Sequence, residues 1–230
     1  MSTLPADVNG VNRDGTSVGR ASDTGSAARS TYRHGDLRNA LIEAGLRLAA
    51  GAGPSAVVLR EATRQAGVSP NAAYRHFSDR DDLLAAVSLR SLEFMGSEIV
   101  KELAAHATDD DLSSQLDAVG RAYVRFALRE PGLFRTAFAV HRDPEAGRGG
   151  TDGPGPFGLL LRVLDRAVAA GVLPAERRPG AEVAAWSAVH GLAVLLVDGP
   201  LRTVPDEARE ALIERTVSAV RRGLFVEGGS

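Results

Sequence analysis

Ser69, Asn71, Tyr74, Arg75 and His76 crowd into one short stretch that ends at Phe77. Asn can bond an adenine edge through a donor and an acceptor together, and Arg can fork onto guanine in the same bidentate way. Tyr and His donate to phosphate oxygens. Such a set suits reading a nucleic acid. The residue types that catalysis needs are scattered. His34, His76, His106, His141 and His190 fall nowhere at metal spacing with Glu or another His. There is no Gly-x-Ser-x-Gly elbow and no phosphate-cradling glycine loop. The chain has no cysteine, which removes disulfides, thiolate metal sites and cysteine nucleophiles. An enzyme is not expected, and no catalytic residue, metal or cofactor is implied.

Those side chains need elements that hold them on one face. From Leu59 to Ala66 the chain contains neither Gly nor Pro. Gly67 can take the left-handed conformation that ends a helix. Ser69 then offers an oxygen to cap a new helix, and Pro70 suits its first position, where no amide hydrogen is needed. Two helices across a tight glycine turn form a helix-turn-helix, whose second helix fits a DNA major groove. At about 100° per residue, Ala73 and Phe77 share one face, with Val68 leading in beside them. That face should bury. Asn71 and Arg75 oppose it, Ala72 and Tyr74 flank, and His76 stands near the boundary. A small core helix with a solvated polar face has the same pattern, so this stretch alone leaves both readings open.

The 230 residues carry a net charge of −2 and are 44% hydrophobic, an ordinary soluble composition long enough for one or two domains. The charge is unevenly spread. Between Thr31 and Arg80, seven arginines face four acids, a surplus of three positive charges that leaves −5 for the rest. A basic head on an acidic body turns toward a phosphate backbone. Lys101 is the only lysine, so nearly all positive charge is guanidinium, which forks onto phosphate and guanine.

Along the chain, residues 1–30 lack the apolar content to order themselves and the apolar run of a secretory signal. They read as a disordered tail, or as a basic arm through Arg20 and Arg29. A first helix spans about Asp36 to Gly51, with Asp36 near its cap and Leu37, Leu41, Ala44 and Leu48 inward. Ser78 is expected to cap a long helix to about Ala107, with Leu83, Leu84, Val87, Phe94, Ile99 and Leu103 as its apolar stripe. Asp109-Asp110-Asp111 suits a solvated loop and helix start, with a metal site as the sharper alternative. Leu112 to Arg129 is amphipathic, and Pro131 breaks it before a short apolar helix through Phe138. Arg142 to Pro156 holds five glycines and three prolines in fifteen residues, a mobile loop. Further helices follow over Phe157–Gly171, Ala181–Val197 and residues 206–223. The stretch 181–197 is shorter than the roughly 20 residues of a membrane span and contains Ser187 and His190, so no membrane partner is expected. No segment alternates as a strand.

The run Ala66-Gly67-Val68-Ser69, then Tyr74-Arg75-His76-Phe77, then Asp81-Asp82-Leu83-Leu84 resembles the DNA-binding head of the TetR family of bacterial transcription regulators. Tyr32-Arg33-His34-Gly35-Asp36-Leu37-Arg38, Pro131-Gly132-Leu133-Phe134-Arg135 and Trp186-Ser187-Ala188-Val189-His190-Gly191 look like one branch, named for a Trp-His-Gly signature. Two positions depart from the pattern. Val58 stands where a Thr or Ser usually caps the second helix. Thr63 stands where Ala usually lets the two helices pack closely.

The resemblance implies an all-α fold. A three-helix helix-turn-helix head over 31–77 would join a body of about six helices over 78–225, with a tail over 226–230. It implies cytoplasmic action on double-stranded DNA through Arg60, Ser69, Asn71, Ala72, Tyr74, Arg75, His76 and Arg80. Arg80 stands where the family commonly binds phosphate, although a plain helix-surface charge fits equally well. A homodimer through 181–197 and 206–223 is implied, as is an apolar pocket for a small-molecule effector. Candidate pocket residues are Phe94, Tyr123, Phe126, Phe134, Phe138, Phe157, Trp186 and His190; His190 would bond a ligand or a backbone carbonyl. The expected activity is a repressor released from a palindromic operator by a small apolar ligand. The alternative is an interaction or architectural DNA-binding protein of the same fold without a ligand.

Overall fold

Helices in this chain begin and end where backbone donors and acceptors find local partners. The computed structural model describes residues 25–105, 112–140 and 155–225, with side chains from residue 37 onward. Among these the regular structure is helical throughout, as the sequence patterning predicts. In order it comprises α1 (Gly25–Ala52), α2 (Leu59–Ala66), α3 (Pro70–Ala73), α4 (Arg80–Ala105) and α5 (Leu112–Arg129). Then come α6 (Pro131–Ala137), α7 (Pro156–Ala169), α8 (Ala181–Val197) and α9 (Asp206–Leu224). By backbone contacts, residues 36–230 form one unit and residues 1–35 another. The acidic run at 109–111, the loop over 141–154 and the termini 1–24 and 226–230 lie outside the described residues.

Two boundaries differ from expectation. α1 starts at Gly25, so residues 25–30 are helical and Asp36 lies inside the helix. No proline stands between Gly25 and Asp36 to stop it. At the start of α4 the cap is Asp79, whose carboxylate accepts from the Asp82 amide at 2.8 Å. Asp82 in turn accepts from the Ser78 amide at 3.1 Å. Two carboxylates thus satisfy amides at and just before the start of α4, and the positive helix end favours both charges.

The stripe of α4 is also set differently. Ser88 and Ser91 are buried, while Phe94 is 43% exposed. Both serines can bury because their hydroxyls donate to backbone carbonyls, Ser88 to Ala137 and Ser91 to Val87, each at 2.9 Å. The Ser88 bond ties α4 to the end of α6.

α5 runs through the middle of the body and touches α4, α6, α7, α8 and α9. Leu116, Val119, Tyr123, Phe126 and Ala127 are all buried on it. Gly120 lets α9 come close, since a β-carbon there would lie 2.7 Å from Val217 Cγ1. Arg121 pairs with Glu214, Arg125 with Glu210 and Arg221 with Asp117, all between α5 and α9. Arg121 and Asp117 are only 16% and 14% exposed, and at such sites the cost of desolvation offsets much of the attraction. The packing of α5 is the larger effect.

α6 starts against the last turn of α1. Gly132 makes this possible: a β-carbon there would collide with the Ala49 carbonyl oxygen and sit 2.7 Å from that of Ala50. Those are backbone atoms and cannot rotate away. Gly132→Ala should therefore destabilise the fold by about 1–3 kcal/mol, the usual range for overpacking. Urea unfolding would read this as a lower midpoint, and an unchanged midpoint would show that the two helices can separate freely.

Candidate functional site

The reading face is assembled by local chemistry. Gly67 adopts φ 68° and ψ 30°, the left-handed conformation. The next amide, Val68, returns to the Thr63 carbonyl at 3.1 Å. Ser69 Oγ accepts from the Ala72 amide at 3.3 Å, and Pro70 occupies the first helical position. α3 itself is one turn long. Its path continues because the Tyr74 and Phe77 amides donate to Pro70 and Ala73 carbonyls at 3.1 and 3.0 Å.

Ala73 and Phe77 are fully buried, as their shared face requires. The Arg38 guanidinium lies over the Phe77 ring, 5.1 Å from its centroid. Arg60, Ser69, Asn71, Tyr74 and Arg75 are exposed, and Ala72 and His76 are half-buried. Five of the expected reading residues are thus accessible to solvent, Arg60 from α2 and the other four around α3. Arg80 donates to the Pro54 carbonyl at 2.9 Å and meets Asp81 at 3.2 Å, which ties the start of α4 to the turn after α1.

Both departures in the head have a structural account. Val58 provides no side-chain cap to α2 and is 42% exposed. Thr63 is buried, and its hydroxyl donates to the Arg60 carbonyl at 2.7 Å, so its polar atom is satisfied within its own helix.

A second site lies in the body. A cavity of about 130 Å³ is bounded by α4 to α9 and lined by Tyr123, Phe138, Phe157 and Trp186 among aliphatic side chains. None of the described lining residues is charged. An apolar cavity of about 150 Å³ stays dry and takes up benzene, so this one has room for a small apolar molecule.

Four of the expected pocket residues therefore line the cavity, and four do not. Phe134 stands one layer back, edge-on to Tyr123 at 6.1 Å and to Phe138 at 5.5 Å. Phe126 is buried in the packing of α5. Phe94 points outward, because the two serines of α4 occupy the buried side. His190 bonds neither a backbone carbonyl nor the cavity directly. Its Nδ1 lies 2.8 Å from the Tyr123 hydroxyl, which also accepts from Trp186 Nε1 at 3.1 Å. The Phe138 ring is 4.9 Å from the imidazole. Burial pulls the His190 pKa down and pushes the Tyr123 hydroxyl up.

Sequence reasoning missed Leu92, Gly120 and the packing role of Gly132. A glycine inside the amphipathic α5 is the available signal for Gly120, since it marks close approach. On α8, Val183, Val194 and Leu195 are exposed apolar side chains at 56%, 39% and 42%. No helix among the described residues is long and apolar enough to cross a membrane.

A helix-turn-helix with an exposed reading face, set on an all-helical body, defines a class of transcription regulator. Residues 41–87 match the model of bacterial regulatory proteins of the tetR family, and residues 116–220 match the tetracyclin repressor-like C-terminal domain. The chain belongs to the TetR family of transcriptional regulators. It is similar to an HTH-type transcriptional repressor of Mycobacterium tuberculosis, with 30% identity over 93 residues, 40% of this chain and 47% of that protein. The chain thus spans about half the length of the curated relatives it matches.

Among solved structures, a Rhodococcus sp. RHA1 protein of unknown function is 25% identical, with a TM-score of 0.68, covering 85% of this chain and 98% of its own. A TetR-family regulator from Pectobacterium atrosepticum is similar in fold at 22% identity and a TM-score of 0.63, covering 85% and 97%. One from Marinobacter aquaeolei VT8 has 21% identity and a TM-score of 0.60, covering 86% and 100%.

The buried imidazole has a consequence for stability. Its pKa is lowered in the folded state, so the unfolded chain binds the proton first as pH falls past the ordinary value of 6.5. Its effect on stability is absent above that value and becomes destabilising below it. Thermal unfolding between about pH 7.5 and pH 5.5 should show the wild-type midpoint falling more steeply than that of His190→Leu. Parallel slopes would mean that His190 is not the group responsible.

Proposed function

We propose that this regulator represses transcription by binding a palindromic operator as a homodimer, and leaves it when a small apolar molecule fills the body cavity. The head is taken as residues 31–77 and the body as 78–225, acting in the cytoplasm. The observation that carries the reading is the position of α6. Its last residue, Ala137, and Phe138 beyond it line the cavity, while Gly132 at its start abuts the Ala49 and Ala50 carbonyls of α1. A ligand that displaces the end of α6 pushes on the head through the start of the same rigid element. The Ser88 bond to Ala137 adds a path through α4. Either route biases the separation of two reading heads, and such couplings are typically about 1–3 kcal/mol.

Dimerisation through α8 and α9 is supported by the exposed Val183, Val194 and Leu195, with Ala184 and Gly191 exposed beside them. A small head reads only a few base pairs, and a twofold axis doubles the site. The repressor named in Mycobacterium tuberculosis supports repression as the output.

Selection from a random duplex pool at stated salt, followed by sequencing, should return an inverted repeat. Retention without a motif would favour an architectural binder. On the selected operator, Arg75→Ala should lose about 1–3 kcal/mol and relax the preference at one base in each half-site; an equal loss on all sequences would restrict Arg75 to phosphate. Leu195→Glu should convert dimers to monomers in sedimentation, and a dimer that persists would move the interface elsewhere.

A further inference from the structure

The cavity is apolar but for one point. Of the hydrogen-bonding side chains on its described lining, there are only Tyr123 and Trp186, and they meet each other. Indole is a donor only, so Trp186 donates and the tyrosine oxygen accepts. The same oxygen faces His190 Nδ1, and two arrangements satisfy that contact. With its proton on Nε2, neutral His190 accepts at Nδ1 and the tyrosine hydrogen points at it. With its proton on Nδ1, His190 donates, the oxygen accepts twice, and the hydroxyl hydrogen is released. Both tautomers are neutral, so exchanging them moves no charge through the apolar surroundings.

We infer that Tyr123 is the polar anchor of the cavity, that His190 sets its polarity by changing tautomer, and that the site takes a neutral, mainly apolar molecule with one small polar group. This rests on the cavity being the effector site proposed above. A carbonyl oxygen receives the released tyrosine hydrogen while His190 holds the oxygen from behind. A hydroxyl donates to the remaining lone pair while His190 keeps the tyrosine hydrogen. A carboxylate or ammonium meets no opposite charge among the described lining residues and would lose its hydration there, which disfavours it. Half-burial of the imidazole behind Phe134 and Phe138 keeps it neutral and near its partner.

Three probes matched in heavy-atom count test this: cumene with no polar group, acetophenone with one acceptor, and benzoate with a charge. Binding is measured by calorimetry on the full-length protein. Acetophenone should bind about tenfold more tightly than cumene, the worth of one hydrogen bond in a dry site, and benzoate should not bind. Tyr123→Phe, which removes one oxygen, should abolish the preference for acetophenone over cumene. His190→Leu removes the competitor for the hydroxyl hydrogen and should preserve or raise it. Imidazole nitrogen-15 shifts, assigned against His190→Leu, should move to the Nδ1-protonated form with acetophenone and not with cumene. Equal affinities for cumene and acetophenone, or a preference that survives Tyr123→Phe, would overturn the inference while leaving the cavity as a ligand site. Binding of neither neutral probe would overturn it together with the effector site. Binding with the expected preference but without operator release would uphold it and sink the ligand-responsive reading instead.

Discussion

Between the last turn of α1 and the first turn of α6 there is room only for backbone. The carbonyls of Ala49 and Ala50 occupy the space that any side chain at position 132 would need. Helices packed this closely cannot slide smoothly, because packed atoms resist compression more than they resist rotation to another fit. The helix-turn-helix segment is held through the α1–α6 contact, the contact of α6 with the turn after α1, the Arg80 bond to Pro54 and the continuous α4. In the proposed mechanism a signal from the body would reach it through elements that move as wholes, and a small displacement at the cavity end of α6 would become a change in head position because short packed helices have few ways to bend.

Much of this was legible in the sequence. The turn at Gly67, the serine cap and the buried pair Ala73 and Phe77 follow from spacing and capping chemistry alone. So do the extents of α2, α5 and α8. What was not legible has identifiable causes. The face of α4 was misjudged at Phe94 because an apolar count ignores serines whose hydroxyls find carbonyls. The cap moved from Ser78 to Asp79 because two carboxylates at the positive end of a helix outperform a hydroxyl. The start of α1 was placed too late because composition argued for disorder, whereas only proline would have forced a stop.

For the candidate pocket, sequence located the aromatic cluster but could not assign its layers. Tyr123, Phe138, Phe157 and Trp186 line the cavity, and Phe134 and His190 support it from behind. Five of the six lie within helices and Phe138 caps the end of α6, and periodicity cannot tell a lining ring from a backing ring. The distinction arises only when α5, α6, α7 and α8 converge. The hydrogen bonds among Tyr123, His190 and Trp186 are equally invisible to spacing, since they join residues far apart in the chain. They explain how a tyrosine, a histidine and a tryptophan can share an apolar interior: each polar atom that points inward has a partner.

The same reasoning separates the two sites by charge. The reading face works in water, where exposed guanidinium groups steer toward phosphate and are screened by salt. The cavity has no charged group on its described lining, so a hydroxyl there would contribute more to ligand selectivity than one on the surface. Under the proposed mechanism an effector would act through shape and one hydrogen bond rather than through charge, so operator binding would respond steeply to salt and effector binding weakly, while each still shifts the other by the same coupling free energy.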